Sequence, residues 1–147
     1  MAKIQWQEMF SVGIPSVDNQ HKKLVSMINQ LEDSLTAGKG LVNDDVGKVL
    51  TKLVEYTKFH FEDEEKIQND IQYSDRNRHK QLHKELVGQV IGILMKLKKG
   101  ETINVFEMMN FLRDWLVNHI LKEDRKIGTA YKQFNKTNGN AKLSQTT

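Results

Sequence analysis

Four segments of the chain carry apolar residues at the three-to-four-residue spacing of an α-helix, and short polar breaks separate these segments. Each segment spans roughly 20 residues, which corresponds to about 30 Å of helix. Short connections between helices of equal length make sequential helices antiparallel. The pattern therefore predicts an all-α fold, an antiparallel up-down-up-down four-helix bundle. A length of 147 residues fits one such domain with a substantial core.

The polar breaks predict where the helices begin and end. Asp18 has the side chain of a good N-cap and is predicted to open the first helix, which ends at the glycines of "AGKG". The second helix is predicted to run from near Asn43 towards Ile67. The third follows "YSDRN" and is closed by Gly100, and the fourth starts around Asn104.

Two glycines lie inside the third predicted helix. Gly88 and Gly92 each cost about 1 kcal/mol relative to alanine at an interior helical position. Because glycine has no side chain to hold two helices apart, we expect these positions to let a neighbouring helix approach closely.

The residues outside the four segments form an N-terminal arm and a polar tail. Residues 1–17 carry apolar side chains, among them Trp6 and Phe10, and we expect this arm to pack on the bundle. The chain ends in "NKTNGNAKLSQTT", whose composition predicts disorder. We therefore expect one domain, the bundle with its arm, over residues 1–133 and a disordered tail over residues 134–147.

The composition excludes several classes of protein. The absence of cysteine excludes disulfides, zinc fingers and thiolate-bound iron–sulfur clusters, and it fits a reducing compartment. No apolar run is long enough for a signal peptide or a membrane span, so we expect a cytoplasmic protein without a membrane partner. The 22 basic and 19 acidic residues are interspersed, and no basic stripe with aromatic residues indicates binding to nucleic acid.

All five histidines of the chain fall on the inward, apolar faces of the predicted helices. A lone histidine on such a face is more often a core residue with one hydrogen bond, but surface histidines would scatter around the helices. A buried polar group without a partner costs several kcal/mol, so something must compensate all five, and a metal does so. These histidines are His21, His60, His79, His83 and His119.

The histidines are also predicted to meet at one end of the bundle. His21 and His79 lie near the starts of the first and third predicted helices, whereas His60 and His119 lie near the ends of the second and fourth. In an antiparallel bundle these four positions have the same depth. We therefore expect them to form one cluster.

Two motifs, "HFEDE" and "HKQLH", each carry two potential metal ligands four residues apart, one above the other on a helix. The first pairs His60 with Glu64, and the second pairs His79 with His83. Five imidazoles with one or two carboxylates are too many donors for one ion, whereas two ions bridged by carboxylates use them all. Imidazole and carboxylate without sulfur suit iron, manganese or zinc.

A histidine after "DNQ", followed in order by "HFEDE", "HKQLH" and "HILKED", resembles the hemerythrin family, specifically the bacterial hemerythrins. The likeness covers roughly residues 4–131 and extends to "VDNQHKKL" and "RDWLVNHI". It implies two iron ions bridged by two carboxylates and an oxo or hydroxo group, with one open position for dioxygen. By the same resemblance, His79, His83 and His119 bind one iron, His21 and His60 bind the other, and Glu64 and Asp124 bridge the pair.

The motif "HILKED" offers two candidates for the last ligand. Glu123 lies four residues after His119 and is favoured by regular helix geometry, whereas the family pattern implies Asp124. Five residues of a regular helix turn through about 500°, which points His119 and Asp124 roughly 140° apart. Asp124 then needs a local π-helical widening, or a metal within reach of a short side chain. Without a metal, Asp124 is a solvent-facing acid that pairs with Lys122 or Arg125.

The resemblance implies a non-enzymatic protein that binds dioxygen reversibly as a carrier, store or delivery partner for an oxygen-consuming enzyme, and we expect a monomer. Three alternatives stay open: a sensor of oxygen, nitric oxide or redox state that acts through a signalling partner, a di-iron peroxidase or oxidase, and a bundle stabilised by zinc. Apolar residues beside the ligands match the family's oxygen pocket, although they also suit ordinary core packing. These residues are Leu24, Phe61, Trp115, Leu116 and Ile120.

Overall fold

The computed structural model describes residues 3–37 and 44–138, apart from the side chains of residues 37, 44, 45, 120 and 121. All regular secondary structure in this part of the chain is helical, and the last helix of the bundle has a π-helical segment within it. The predicted all-α four-helix bundle is confirmed. The elements are a 3-10 helix (Glu8–Phe10), α1 (Pro15–Ala37), α2 (Asp44–Asp70), α3 (Arg76–Lys98), α4 (Val105–Asn118), the π-helical segment (His119–Asp124) and α5 (Arg125–Thr137).

The first helix begins earlier than predicted. Pro15 is its first residue, where a fixed φ and a missing N–H do no harm. Asp18 lies inside the helix, since its backbone N–H donates to the Ile14 carbonyl at 2.9 Å. The Asp18 carboxylate instead accepts hydrogen bonds from Ser11 Oγ at 2.6 Å and from the Val12 N–H at 2.8 Å. The predicted N-cap is therefore wrong, and Asp18 fastens the arm to α1.

The two predicted boundaries around the α3–α4 connection are confirmed. The Asn104 side chain accepts a hydrogen bond from the Glu107 N–H at 3.0 Å and so caps the start of α4. Gly100 follows the end of α3 with a φ of 75°, a left-handed conformation that favours glycine.

The close approach expected at the two α3 glycines is wrong. A Cβ built on Gly88 or Gly92 would meet nothing within 4 Å, because both positions face outward. The close approach occurs instead at Gly128 of α5, where a Cβ would lie 1.9 Å from the Val12 carbonyl oxygen. The backbone of the arm therefore crosses α5 at a position that only glycine fits.

The buried apolar residues form two clusters. The larger one runs along the inside of the bundle, and Phe10 of the arm belongs to it, with the Trp6 ring packed edge-on at 5.5 Å. The smaller one lies where the arm packs against α5 and the end of α2, which confirms the predicted packing of the arm. Its buried members are Val12, Ile14, Val17, Ile71, Tyr73 and Ile127.

The end of α5 lies within the residues that were predicted to form a disordered tail. The domain boundary expected at residue 133 falls inside α5, which runs to Thr137. From residue 139 onwards, the predicted tail lies outside the described residues. Among the helices that the structure describes, none has the length and apolar character needed to cross a membrane.

Candidate metal centre

The seven predicted ligands lie together at the end of the bundle where α1 and α3 begin and α2 ends. All seven residues are buried, and the two acids are almost fully so, with Glu64 0% and Asp124 1% exposed. They come from every helix of the bundle. His21 lies on α1, His60 and Glu64 on α2, His79 and His83 on α3, and His119 and Asp124 in the π-helical segment.

Their ligand atoms divide into two groups that share both carboxylates. Within each group, one nitrogen or oxygen atom from every residue lies within 4.8 Å of the corresponding atoms of the others. The first group contains Glu64, His79, His83, His119 and Asp124. The second group contains His21, His60, Glu64 and Asp124.

The Glu64 carboxylate turns one oxygen towards each group. Its Oε1 lies 3.0 Å from His79 Nε2 and 3.2 Å from His83 Nε2. Its Oε2 lies 3.4 Å from His60 Nε2 and 3.8 Å from His21 Nε2. A carboxylate with this orientation can ligate two ions at once.

The Asp124 carboxylate is oriented in the same way. Its Oδ1 lies 2.9 Å from His119 Nε2 and 3.2 Å from His79 Nε2, whereas its Oδ2 lies 2.8 Å from His21 Nε2. Each acid therefore has one oxygen near each of the two groups of ligand atoms.

The π-helical segment explains how Asp124 reaches the cluster. A π-turn closes i→i+5 hydrogen bonds and brings residues five apart to the same face, so Asp124 lies with His119. Glu123, the residue that regular helix geometry favours, turns away and pairs with the exposed Arg78 guanidinium. The interpretation of Asp124 as a solvent-facing acid is wrong, since its side chain is buried.

Several polar atoms of the cluster lie close to one another without making hydrogen bonds. His21 Nε2, His60 Nε2, Glu64 Oε2 and both Asp124 oxygens are buried without a hydrogen-bond partner among the described residues. His21 Nε2 is only 2.8 Å from Asp124 Oδ2, yet the angles do not make a hydrogen bond. Buried polar atoms left in this way carry a large cost unless something binds them. Their arrangement fits a metal pair.

Burial and the opposite charges of neighbouring groups shift the pKa values of several cluster residues. Burial lowers the pKa of His21 and of His79, but the nearby carboxylates of Asp124 and Glu64 outweigh burial and raise both pKa values to about 9. Burial raises the pKa of each carboxyl group, yet the surrounding histidines hold both well below their ordinary range. Burial is the largest effect on His60 and lowers its pKa.

Three polar residues beside the ligands are not predicted from the sequence. Gln20 Oε1 lies 2.6 Å from His60 Nδ1, and Gln20 Nε2 lies 2.6 Å from Asp63 Oδ2. Glu65 Oε2 lies 3.0 Å from His83 Nδ1. The only sequence signal is adjacency, since each of the three directly precedes or follows a predicted ligand.

The predicted oxygen-pocket residues surround the same cluster in part. The Phe61 ring stacks on His83 with a 3.6 Å centroid separation, and the Trp115 ring stacks on His119 at 5.1 Å. Leu24 and Trp115 also line a small apolar cavity of about 20 Å³ inside the bundle. Leu116 is buried in the main core, and the Ile120 side chain lies outside the described residues.

Comparison with known proteins gives a consistent set of relatives. Residues 12–131 match the family model of the hemerythrin HHE cation binding domain. The chain is 36% identical over 124 residues to the bacteriohemerythrin of Pseudomonas aeruginosa, and the match covers 84% of this chain and 78% of that protein. It is 35% identical over 129 residues to the bacteriohemerythrin of Methylococcus capsulatus, with 87% and 96% covered. A crystal structure of wild-type hemerythrin has a TM-score of 0.80 and 33% identity, covering 88% of this chain and 98% of the other.

Proposed function

This chain belongs to the hemerythrin family, and on that premise we propose that it binds dioxygen reversibly at a buried pair of iron ions. The observation that carries the proposal is the division of seven ligand side chains into two groups with two shared carboxylates. One ion with both bridges would have five protein ligands, and the other would have four. With a bridging oxygen from solvent, the first ion would have six ligands and the second would keep one position for dioxygen.

The proposed iron ligands are the residues of the two groups. His79, His83 and His119 would hold one iron, His21 and His60 would hold the other, and Glu64 and Asp124 would bridge them. When bound there, the two ferrous ions would supply one electron each to dioxygen and recover both electrons on its release.

The balance of ligand types favours binding over turnover. Five of the seven side chains are imidazoles, which ligate as neutral groups, and only Glu64 and Asp124 bring negative charge. A site with less anionic charge stabilises high oxidation states of iron less. This difference supports reversible release rather than oxidation of a further substrate.

The apolar surroundings support the same function. Phe61 and Trp115 cover the faces of His83 and His119, and the buried Leu24 lines the apolar cavity next to Trp115. These side chains keep water from the ligand atoms. A dry environment slows the irreversible loss of electrons from the ferrous pair.

The test is an optical spectrum of the reduced, iron-loaded protein before exposure to air, in air, and after removal of the gas. We expect an absorption band from the oxygenated site in air and recovery of the starting spectrum afterwards, with iron near two equivalents per chain. Steady consumption of dioxygen with conversion to the ferric form would indicate an oxidase or peroxidase. Tight binding of one zinc in place of two irons would indicate a structural metal site.

His79→Ala is the variant for this experiment, because His79 Nε2 lies close to both bridging carboxylates. We expect lower iron content and loss of the oxygenated spectrum. Since metal binding is coupled to folding, the variant should also be less stable in the presence of iron than the wild type.

A further inference from the structure

A chain of two short hydrogen bonds leads from the edge of α2 to a buried ring of the cluster. The half-buried Gln20 side chain connects Asp63 with His60. Gln20 Nε2 lies 2.6 Å from Asp63 Oδ2, and Gln20 Oε1 lies 2.6 Å from His60 Nδ1. Asp63 and Gln20 lie on neighbouring helices, so the contact spans the α1–α2 interface. We name this chain of three side chains the Asp63 relay.

The carboxylate at one end sets the direction of both hydrogen bonds. An ionised Asp63 can only accept, so the Gln20 amide must turn its NH₂ group towards it. The Gln20 oxygen is then left to face His60, and because this oxygen can only accept, His60 must carry its proton on Nδ1. The His60 Nε2 atom is thereby left bare, and it faces the cluster beside Glu64.

In the second group of ligands, His60 is connected to a carboxylate through the Gln20 amide, whereas in the first group His83 contacts a carboxylate directly. His83 Nδ1 lies 3.0 Å from a Glu65 carboxylate oxygen, with no amide between them. A hydrogen bond to a charged acceptor is roughly twice as strong as one to a neutral acceptor. His83 should therefore donate more electron density through its Nε2 atom than His60 does.

We propose that Gln20 and Asp63 are positioning residues that fix His60 as its Nδ1–H tautomer and keep it a weaker donor than His83. His60 belongs to the four-residue group, the one that has the open position under the proposed function, on which this inference rests. A weaker donor on that side would favour the ferrous state of an iron bound there. The relay thus adds a difference in donor strength to the difference in ligand number between the two groups.

The tautomer is tested in the metal-free protein by ¹⁵N NMR of the His60 ring. The spectrum is recorded at a pH at which the ring is neutral, so that its tautomer is defined. In the wild type we expect a protonated Nδ1 and a bare Nε2. In Asp63→Asn, a neutral amide can accept or donate, Gln20 can turn over, and both tautomers should be populated.

Glu62→Gln is the matched control, because it removes one negative charge from the adjacent, exposed position of α2. It should leave the His60 signals as in the wild type. A proton on Nε2 of the wild-type ring, or an Asp63→Asn spectrum that matches the control, would overturn the proposal.

A second measurement asks whether the relay acts on metal binding. Gln20→Leu removes the acceptor of the His60 Nδ1–H, and we expect the affinity for ferrous iron to fall by about 10–100-fold against a competing chelator. Affinity within twofold of the wild type, with helix content preserved, would overturn the proposed role. Both readouts are independent of dioxygen, so failure of the proposed function would show separately in the wild-type spectrum.

Discussion

The substitution Gly128→Ala tests the close packing of the arm against α5. In an isolated helix this change gains about 1 kcal/mol, because alanine has the highest helix propensity. Here the new Cβ would lie 1.9 Å from the Val12 carbonyl oxygen and 2.9 Å from its carbonyl carbon. Both are backbone atoms, so no side-chain rotation relieves the clash. The arm or the helix must move.

The magnitude follows from what the arm loses when it moves. Exposure of the buried Val12 side chain costs about 1.5–3 kcal/mol. The hydrogen bond from the Val12 N–H to the Asp18 carboxylate, 2.8 Å long, contributes about 1.5–3 kcal/mol because its acceptor is charged. After the gain in helix propensity and some relaxation, we expect Gly128→Ala to lower the free energy of unfolding by about 2–4 kcal/mol.

The assay is chemical denaturation of the metal-free protein, followed by circular dichroism. Gly92→Ala is the control, since it makes the same exchange inside α3 where a Cβ would meet nothing within 4 Å. It should raise the free energy of unfolding by about 0.5–1 kcal/mol. The reasoning is refuted if Gly128→Ala is as stable as the wild type or if both variants shift stability in the same direction.

Three further predictions concern the cluster. Asp124→Ala should abolish binding of both irons, as measured by elemental analysis. Glu123→Ala loses only a surface ion pair worth about 1 kcal/mol or less and should keep two irons. The reverse ranking would contradict the bridging role of Asp124. The pKa values of His21 and His79 are raised on folding, so protonation of the two rings stabilises the metal-free protein fully below about pH 6.5, and this stabilisation is lost as the pH rises through about 9. The denaturation midpoint of the metal-free protein should therefore fall between these pH values, and a rise would contradict the prediction. Uptake of ferrous iron near pH 7.5 should release at least two protons, because the rings of His21 and His79 must both deprotonate to ligate, and a hydroxo bridge formed from water adds one more. The number is measured by calorimetry in buffers of different ionisation enthalpy, and release of fewer than two would contradict the raised pKa values.

The bundle and the gathering of the histidines could be predicted because both depend on local repeats. Helical periodicity shows which face of each segment is buried, and antiparallel order gives the depth of each residue. His60 with Glu64, and His79 with His83, are separated by one helical turn, so their proximity follows from regular geometry alone.

Contacts between distant segments could not be predicted in this way. Gln20 and Asp63 are 43 residues apart, and their hydrogen bond depends on how two half-buried side chains meet across an interface. The crossing of the arm at Gly128 likewise depends on the path of an irregular segment. Asp124 was expected only through the family resemblance, because regular periodicity favours Glu123 and no local pattern indicated the π-helical segment.

The π-helical segment adds one residue to the helical repeat, and its effect extends beyond Asp124. In an unbroken α-helix, Ile127 would lie almost directly above Leu116, because eleven residues make about three turns. One additional residue rotates everything after it by about 100°. Leu116 consequently belongs to the main core, whereas Ile127 belongs to the cluster beneath the arm. Deleting a single residue between Leu116 and Asp124 would rotate both Asp124 and Ile127 away from their present positions. The metal ligand and the contact with the arm would therefore be lost together.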